Sequence, residues 1–378
     1  MNVSTLLYFN GFLLILSGAL YSSESYKFLS LIIFSLTILL SIFLSLVAKH
    51  NANLNRYRFV FLFSSLLFML VSAILNSSLE LFFGAFFFIN IFLMYSFFNL
   101  NKTVFNFFDN PIKITFIIIT IINIYYGFSF PFRGIFSNPN SLGGIYSMIS
   151  IISAGVLLDK LIALKKIDYW LMAILISCIF FTLMSNSRIA FISSIFSIFS
   201  IVIYFFIKSL VIDRGIYLNK SYFKHTVFYT SIFFLVVIIF WEKINDIFIK
   251  KFLYKFSESD AGITDGRSEI WGAIIKNSKI FGHGRNSPHL DYYGFSAHNT
   301  FFSIYDQFGL LSFILFLLAI VFLIIQYSNI KNIKNYGFTP IFIISGFVFL
   351  SISESLINKT IMLSVFMVSN IFVFKRIK

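Results

Sequence analysis

Four side chains outside the long apolar runs are of the types that bind anions or move protons. Arg133, Arg188 and Arg267 stay charged at any physiological pH, and a guanidinium group binds phosphate oxygens in pairs. A histidine can gain or lose a proton near neutral pH, so a side chain of the type of His298 can accept a proton from a hydroxyl group or donate one to a phosphate. These residue types point to a site that handles an anionic group.

Arg188 follows Ser185, Asn186 and Ser187 between two apolar runs that leave almost no loop. This pattern predicts a tight hairpin or a broken helix. The free N–H groups at the start of the next helix would add positive charge to that of the guanidinium. Ser187 and Arg188 are therefore candidates for binding an anion. The alternative is an arginine that reaches the lipid headgroups or pairs with a carboxylate, and position alone leaves both open.

Residues 264–285 read T-D-G-R-S-E-I-W-G-A-I-I-K-N-S-K-I-F-G-H-G-R and form a second candidate region. Apolar residues at helical spacing predict an amphipathic helix over 267–277 that lies against the membrane surface or the bundle. Arg267 begins this helix and is either a site residue or a solvated loop charge. The G-H-G at 282–284 predicts a turn and is only a weak phosphate-loop signal. Arg285 is a further candidate for substrate binding.

His298 and Asn299 stand just before another apolar run. We expect them to take part in the site, whereas the alternative for His298 is a hydrogen bond to a loop carbonyl at the membrane interface. Asn138 and Asn140 flank Pro139, and a structural turn is the default interpretation of that pattern. The alternative role for the two asparagines is contact with sugar hydroxyls or phosphate.

A metal centre is not expected. His283, His289, Asp291 and His298 match no helix-borne zinc motif, and Cys178 is the single cysteine. The pattern predicts neither a metal nor any other cofactor.

Composition defines the elements that must position these residues. The 378-residue chain is 58% hydrophobic and only 12% charged, with a mean hydropathy of +0.90, which is typical of an integral membrane protein. Apolar runs of about 17–22 residues predict an all-α fold of about twelve transmembrane helices. The predicted spans are 6–20, 28–48, 59–75, 81–98, 114–130, 142–158, 170–184, 189–207, 226–241, 308–325, 340–350 and 361–374.

The pattern predicts one membrane domain over residues 1–378, with one polar segment, 242–299, between spans nine and ten. Seventeen of the 29 Lys and Arg residues fall in alternate connections, and only four fall in the other short connections. Because cytoplasmic loops are enriched in Lys and Arg, both termini are predicted to be cytoplasmic and the long loop external. The basic charge thus reflects topology, and no nucleic-acid partner is expected.

Several motifs, in this order along the chain, resemble those of the O-antigen ligase/polymerase family of bacterial envelope glycosyltransferases. They are R-G-I-F-S-N-P-N-S-L-G at 133–143, S-N-S-R at 185–188, D-G-R-S-E-I-W at 265–271, G-H-G-R at 282–285 and A-H-N-T-F-F-S-I-Y-D-Q-F-G-L-L at 297–311. The resemblance runs from about residue 133 to residue 325. The first four spans match only as hydrophobic helices.

The resemblance implies a metal-independent transferase of the cytoplasmic (inner) membrane that works on its periplasmic or extracellular face. It implies a donor glycan on undecaprenyl diphosphate, a glycan acceptor, contact with membrane lipids, and a chain-length regulator as a candidate partner. Arg188 and Arg267 would hold the diphosphate, and His298 would lie at the reacting centre as a catalytic group. Fixed positive charge at the departing oxygens is the physical requirement of such a reaction.

Three functions are compatible with this sequence. A polymerase joins carrier-linked repeat units into O-antigen or capsular polysaccharide, and a ligase transfers the finished glycan to lipid A-core. No residue separates the two, and we favour the polymerase by analogy with other chains of this length and composition. A lipid-linked oligosaccharide flippase or other transporter is the third possibility. It is less favoured because transporters gather their charges at mid-membrane, whereas here the polar residues gather on one face.

Overall fold

The structure is a computed structural model that describes residues 3–21, 23, 25–47, 56–76, 104–128, 131–136, 138–164, 167–211, 245, 267–284, 287, 297–327 and 337–352. Within these ranges it contains ten helices and no strand, which confirms the predicted all-α fold. They are α1 (Val3–Tyr21), α2 (Lys27–Val47), α3 (Arg56–Leu75), α4 (Val104–Tyr125), α5 (Pro139–Leu164), α6 (Tyr169–Met184), α7 (Arg188–Val211), α8 (Arg267–Lys276), α9 (Thr300–Tyr327) and α10 (Thr339–Ser351).

Nine of the predicted spans coincide with these helices, and three (81–98, 226–241 and 361–374) lie outside the described residues. Among the described residues, three helical segments are long and apolar enough, by length and composition, to cross a membrane: Phe108–Tyr125, Pro139–Ala163 and Thr300–Leu318. This is compatible with a membrane protein. The twelve-span topology and the external loop at 242–299 stay predictions, because much of that loop is not described.

Helix α4 differs from the predicted span 114–130 at both ends. It begins at Val104, because Asp109 and Lys113, which read as loop residues, are paired inside the folded chain. It ends at Tyr125, because Gly127 has a φ of +80° and donates its N–H to the carbonyl of Ile124. A left-handed glycine in this position ends a helix.

Helix α5 is the central element, with 94% of its apolar length buried. It packs against α4, α6 and α10. Gly155 faces Thr339 at the start of α10, and Ile151 faces Gly346 further along it, so α5 and α10 are antiparallel. At the end of α5, the buried Asp159 carboxylate accepts the N–H groups of Phe338 and Thr339, at 2.5 and 3.0 Å.

Four charged residues join α4, α5 and α6 at this same end of the bundle. Lys113 lies 2.9 Å from Asp109 and 2.6 Å from Asp168, and Lys160 lies 2.5 and 2.7 Å from the same two carboxylates. Burial alone raises the pKa of Asp168, but hydrogen bonds from Lys113 and Lys160 outweigh this effect and hold the pKa at about 2. We call this end, defined by Lys113, Lys160, Asp168 and Phe338, the lysine face.

The opposite ends of the same helices define a second face. The start of α5 touches the α6–α7 turn, since a Cβ atom on Gly143 would lie 2.5 Å from Cβ of Ser187. Helix α10 runs antiparallel to α5, from the lysine face towards the start of α5, and ends just before Ile352. The carbonyl of Ile352 accepts the side-chain N–H of Asn299 at 2.9 Å. Hydrogen bonds and close contacts therefore connect Arg188 and His298 to one end of the bundle, which we call the arginine face.

Helix α9 is sharply bent at Gly309, where φ is 88° and ψ is 175°. Phe301 and Phe316 are 15 residues apart, which is about 22 Å along a straight helix. Their ring centroids nevertheless lie 6.3 Å apart, and those of Tyr305 and Phe313 lie 5.3 Å apart. The two halves of α9 therefore fold towards each other. Only the second half continues as the straight helix that the span 308–325 predicted.

Residues 1–194 and 269–378 form one compact unit, and Ile195–Ser268 form a second. Every contact used for the two faces lies within the first unit. The second unit contains most of α7 and the first two residues of α8.

Candidate functional site

Arg133 lies in a short loop that is hydrogen-bonded to the end of α6. Phe132 donates its N–H to the carbonyl of Met184 at 2.8 Å, and Phe136 donates to the carbonyl of Arg133 at 3.0 Å. Met184 is the last residue of α6, and Arg188 begins α7 four residues later. The backbones of Arg133 and Arg188 therefore share one corner of the arginine face.

A buried hydrogen-bond network holds the loop that contains Arg133 in place. The Asn123 side chain accepts the N–H of Ile135 at 3.0 Å and donates to the Tyr146 hydroxyl at 3.4 Å. Ser23 donates its hydroxyl to the carbonyl of Ile135 at 2.8 Å. Gly134 has a φ of +52° and lies against Asn123, where a Cβ atom would overlap the amide. Asn123 and Tyr146 were not among the predicted site residues, and the signal available in the sequence was an amide inside an apolar span.

The S-N-S-R segment is a tight helical hairpin, as predicted. Helix α6 ends at Met184, Asn186 has a φ of +57°, and α7 begins at Arg188. Ser187 donates its N–H to the Ser185 hydroxyl at 3.3 Å, and its carbonyl accepts the N–H of Phe191 at 2.9 Å. Ser187 is thus the residue that caps α7, and Arg188 adds its charge to the positive end of the helix dipole.

The two arginines differ in their surroundings. Arg188 is half-buried, whereas Arg133 is exposed. No described carboxylate lies within salt-bridge distance of the Arg133 guanidinium. The exposed Arg133 side chain lies at this corner, and the N-terminus of α7 adds partial positive charge beside it.

Asn138 and Asn140 form the turn that the sequence predicted as the default. The Asn138 side chain accepts the N–H of Asn140 at 2.8 Å, and its carbonyl accepts the N–H of Ser141 at 3.0 Å. Pro139 opens α5, the position where a proline fits a helix best. Asn138 therefore caps α5, and a ligand contact by either asparagine stays a prediction.

His298 lies between two fixed residues at the start of α9. Its φ is +46°, a left-handed conformation that costs a non-glycine residue about 1–2 kcal/mol. The Asn299 side chain accepts the N–H groups of Phe301 and Phe302, at 2.8 and 3.1 Å, and donates to Ile352. Asn299 was predicted to bind substrate. The contacts it makes here cap α9 and join it to α10.

Helix α8 begins at Arg267, close to the predicted range 267–277, and packs against the start of α9. Ile270 and Ile274 are buried against Ala297. The predicted amphipathic packing on the bundle is therefore present. Arg267 itself is half-buried and belongs to the second unit, and Arg285 lies outside the described residues.

The G-H-G segment pairs with the bend of α9 instead of forming a phosphate loop. His283 and Gly284 donate their N–H groups to the carbonyls of Asp306 and Gln307, at 2.7 and 3.1 Å. A Cβ atom on Gly282 would lie 2.3 Å from the Gln307 carbonyl oxygen, and one on Gly309 would lie 2.0 Å from that of Ile280. We call the contact of Gly282 with Gly309 the glycine crossing.

Two polar side chains stabilise this crossing. Ser72 on α3 donates to the carbonyl of Phe281 at 2.5 Å, and Ser287 donates to the buried carboxylate of Asp306 at 2.6 Å. No three His, Cys, Asp or Glu residues in the described ranges are placed to hold a metal ion.

No protein-family model matches the chain, and no curated protein matches it at a significant level. The resemblance of the motifs to envelope glycosyltransferases therefore stays a prediction. The contacts at the arginine face are the independent observation that bears on function.

Proposed function

We propose that this protein is a polymerase that joins undecaprenyl-diphosphate-linked oligosaccharide units on the outer face of the cytoplasmic membrane. The observation that carries the proposal is the hydrogen bond from Phe132, next to Arg133, to Met184 at the end of α6, four residues before Arg188. Two guanidinium groups and a helix N-terminus at one corner suit a diphosphate, which carries several negative charges on closely spaced oxygens.

The proposed topology has twelve spans, with both termini in the cytoplasm and the arginine face outside. It is supported by the separation of the two faces. The face with Lys113 and Lys160 coincides with the connections that the charge bias assigns to the cytoplasm. The connections with Arg133 and Arg188 lie at the other ends of α5 and α6.

In the proposed reaction, the acceptor hydroxyl oxygen bonds to the anomeric carbon of the carrier-linked sugar. The bond from that carbon to the diphosphate oxygen breaks, and its electron pair stays on the diphosphate. Arg133 and Arg188 stabilise the charge that develops there. His298 takes the proton of the acceptor hydroxyl as a general base, a role that histidine side chains commonly have. For Arg267, a diphosphate-binding role is implied by the motif resemblance alone.

A lipid-linked oligosaccharide flippase is the second candidate, because one observation favours it. Helix α9 is interrupted at Gly309, and interrupted membrane helices with nearby buried carboxylates, such as Asp306, are common at transporter sites. The Asp306 carboxylate accepts the Ser287 hydroxyl and the N–H groups of the G-H-G segment bind backbone carbonyls, so these groups already have partners.

The test is Arg188→Ala in cells, with membrane levels confirmed and the surface polysaccharide run on a gel. We expect roughly a hundredfold loss of polymerised chains, because one fixed donor at a developing oxyanion is worth about that much. Lys279→Ala is the matched control, since this side chain is an exposed cation in the loop predicted to be external.

Loss of the ladder with a single capped repeat retained would identify a polymerase. Long free chains on the carrier with bare lipid A-core would identify a ligase. Carrier-linked units held on the cytoplasmic side would identify a flippase. An unchanged ladder would remove the arginine corner from the mechanism.

A further inference from the structure

We propose that Trp271 is a positioning residue for His298, an inference that rests on the proposed function only for its catalytic consequence. The Trp271 indole N–H donates to the carbonyl of Ala297 at 2.9 Å. Ala297 directly precedes His298. The hydrogen bond therefore holds the peptide group that leads into the proposed general base.

The indole is itself fixed in place. Its ring stacks on Phe302, with centroids 5.1 Å apart and planes 13° apart. On the same helix, Ile270 and Ile274 are buried against Ala297. Ala297 is also buried, with 2% of its surface exposed. The indole N–H of Trp271 therefore has little freedom to move away from the Ala297 carbonyl.

His298 is held on both sides of its unusual backbone conformation. Trp271 holds the residue before it, and Asn299 holds the residues after it by capping α9 and binding Ile352. A non-glycine residue with a φ of +46° persists only where its surroundings impose that conformation. The direction of the imidazole therefore depends on these two anchors.

The N–H group is the part of Trp271 that matters most in this arrangement. A phenylalanine at this position keeps an aromatic ring against Phe302 but has no donor. The buried carbonyl of Ala297 would then lose its side-chain partner, and the backbone at His298 would be free to relax from the left-handed conformation. Trp271→Phe therefore tests positioning with little change in apolar packing.

The first measurement is independent of activity. Full-length wild-type and variant proteins in detergent are treated with diethyl pyrocarbonate, and carbethoxylation of His298 is followed by peptide mass spectrometry. We expect Trp271→Phe to raise the rate at His298 about tenfold, with His283 as internal reference, because loss of one buried hydrogen bond is worth about that factor. Trp170→Phe is the matched control, since its side chain is 60% exposed at the lysine face.

The second measurement is chain extension with carrier-linked repeat units. We expect Trp271→Phe to lower kcat by roughly ten- to a hundredfold with little change in KM, the scale expected from a misplaced catalytic group. In a His298→Ala background the same change should have no further effect, because Trp271 acts through His298. A tryptophan with a purely structural role would lower the residual activity of that background as well.

The outcomes are separable. An unchanged carbethoxylation rate in Trp271→Phe would overturn the inference, whatever the activity. Wild-type protein that extends no chains would instead overturn the proposed function, while a faster rate at His298 would still support the positioning role. If Trp271→Phe does not fold, Phe302→Leu removes the stacking and keeps the indole donor. Phe302→Leu should raise the carbethoxylation rate at His298 by less than Trp271→Phe would. If Phe302→Leu leaves this rate unchanged, the inference is contradicted.

Discussion

Gly143→Ala should move the arginine corner, which is the part of the arginine face that contains the backbones of Arg133 and Arg188. Its effect on turnover can then be compared with its effect on the stability of the bundle. A Cβ atom at Gly143 would lie 2.5 Å from Cβ of Ser187 and 2.6 Å from the Ser185 hydroxyl oxygen, whereas ordinary contacts begin at 3.4 Å. The α6–α7 hairpin must therefore move by about 1 Å to reach ordinary contact distance. This displacement carries Arg188 with it.

We expect two effects of this displacement. Overpacking at a helix contact lowers the free energy of unfolding by about 1–3 kcal/mol. A shift of about 1 Å in a group that binds the reacting phosphate lowers turnover by up to about a hundredfold. Thermal unfolding in detergent measures the first effect, and chain extension with carrier-linked units measures the second.

Two glycine variants serve as controls. Gly155→Ala also overpacks α5, since its Cβ would lie 2.8 Å from Cα of Thr339, but this contact is at the lysine face. It should lower stability without a matching loss of turnover. Gly272→Ala has nothing within 4 Å and should leave both unchanged or raise stability slightly. If Gly143→Ala and Gly155→Ala lower turnover equally, the position of the hairpin does not matter and the reasoning fails.

The other predictions concern stability. Asn299→Ala should lower the free energy of unfolding by about 2 kcal/mol, because it removes a helix cap worth about 1 kcal/mol and one further hydrogen bond of similar worth. Asn299→Ser should recover about half of this loss in thermal unfolding, and full loss in the serine variant would contradict the capping role. Asp168→Asn keeps the cap of α6 but removes the charge beside Lys113 and Lys160. Because the folded pKa of Asp168 is about 2, below its ordinary value, the ionised carboxylate stabilises the protein above about pH 4 and this stabilisation disappears as the pH falls towards 2. The stability difference between wild type and Asp168→Asn should therefore shrink over that interval, and a constant difference would contradict the assignment.

Local patterns predicted much of the fold because they depend on neighbours in the chain. Two apolar runs around S-N-S-R leave almost no loop, which predicted a tight hairpin or a broken helix, and the α6–α7 connection is a tight hairpin. Asn138 and Asn140 around Pro139 predicted a turn, and Asn138 forms a turn that also caps α5. The apolar runs predicted the nine described helices that coincide with spans.

What the sequence did not reveal depends on contacts between distant segments. Asp109 and Lys113 resemble loop residues until Lys160 and Asp168 are brought beside them. Gly309 lies in an apolar run, so the run itself gives no sign that α9 bends there. The bend is stabilised by backbone groups of residues 279–284, about 25 positions earlier in the chain. Both glycines of this contact can be read from the sequence, but nothing in the sequence indicates that they contact each other.

The glycine crossing restricts which substitutions the protein can accept at Gly282 and Gly309. Each of Gly282 and Gly309 leaves room only for the backbone of the other segment, and neither can be replaced by a smaller residue. A change at one position therefore has no compensating change at the other. Gly282 and Gly309 also have a positive φ, +74° and +88°, so a side chain at either position strains the backbone even where the two segments have moved apart. The two positions are therefore restricted twice, by the space between the segments and by the backbone conformation of each.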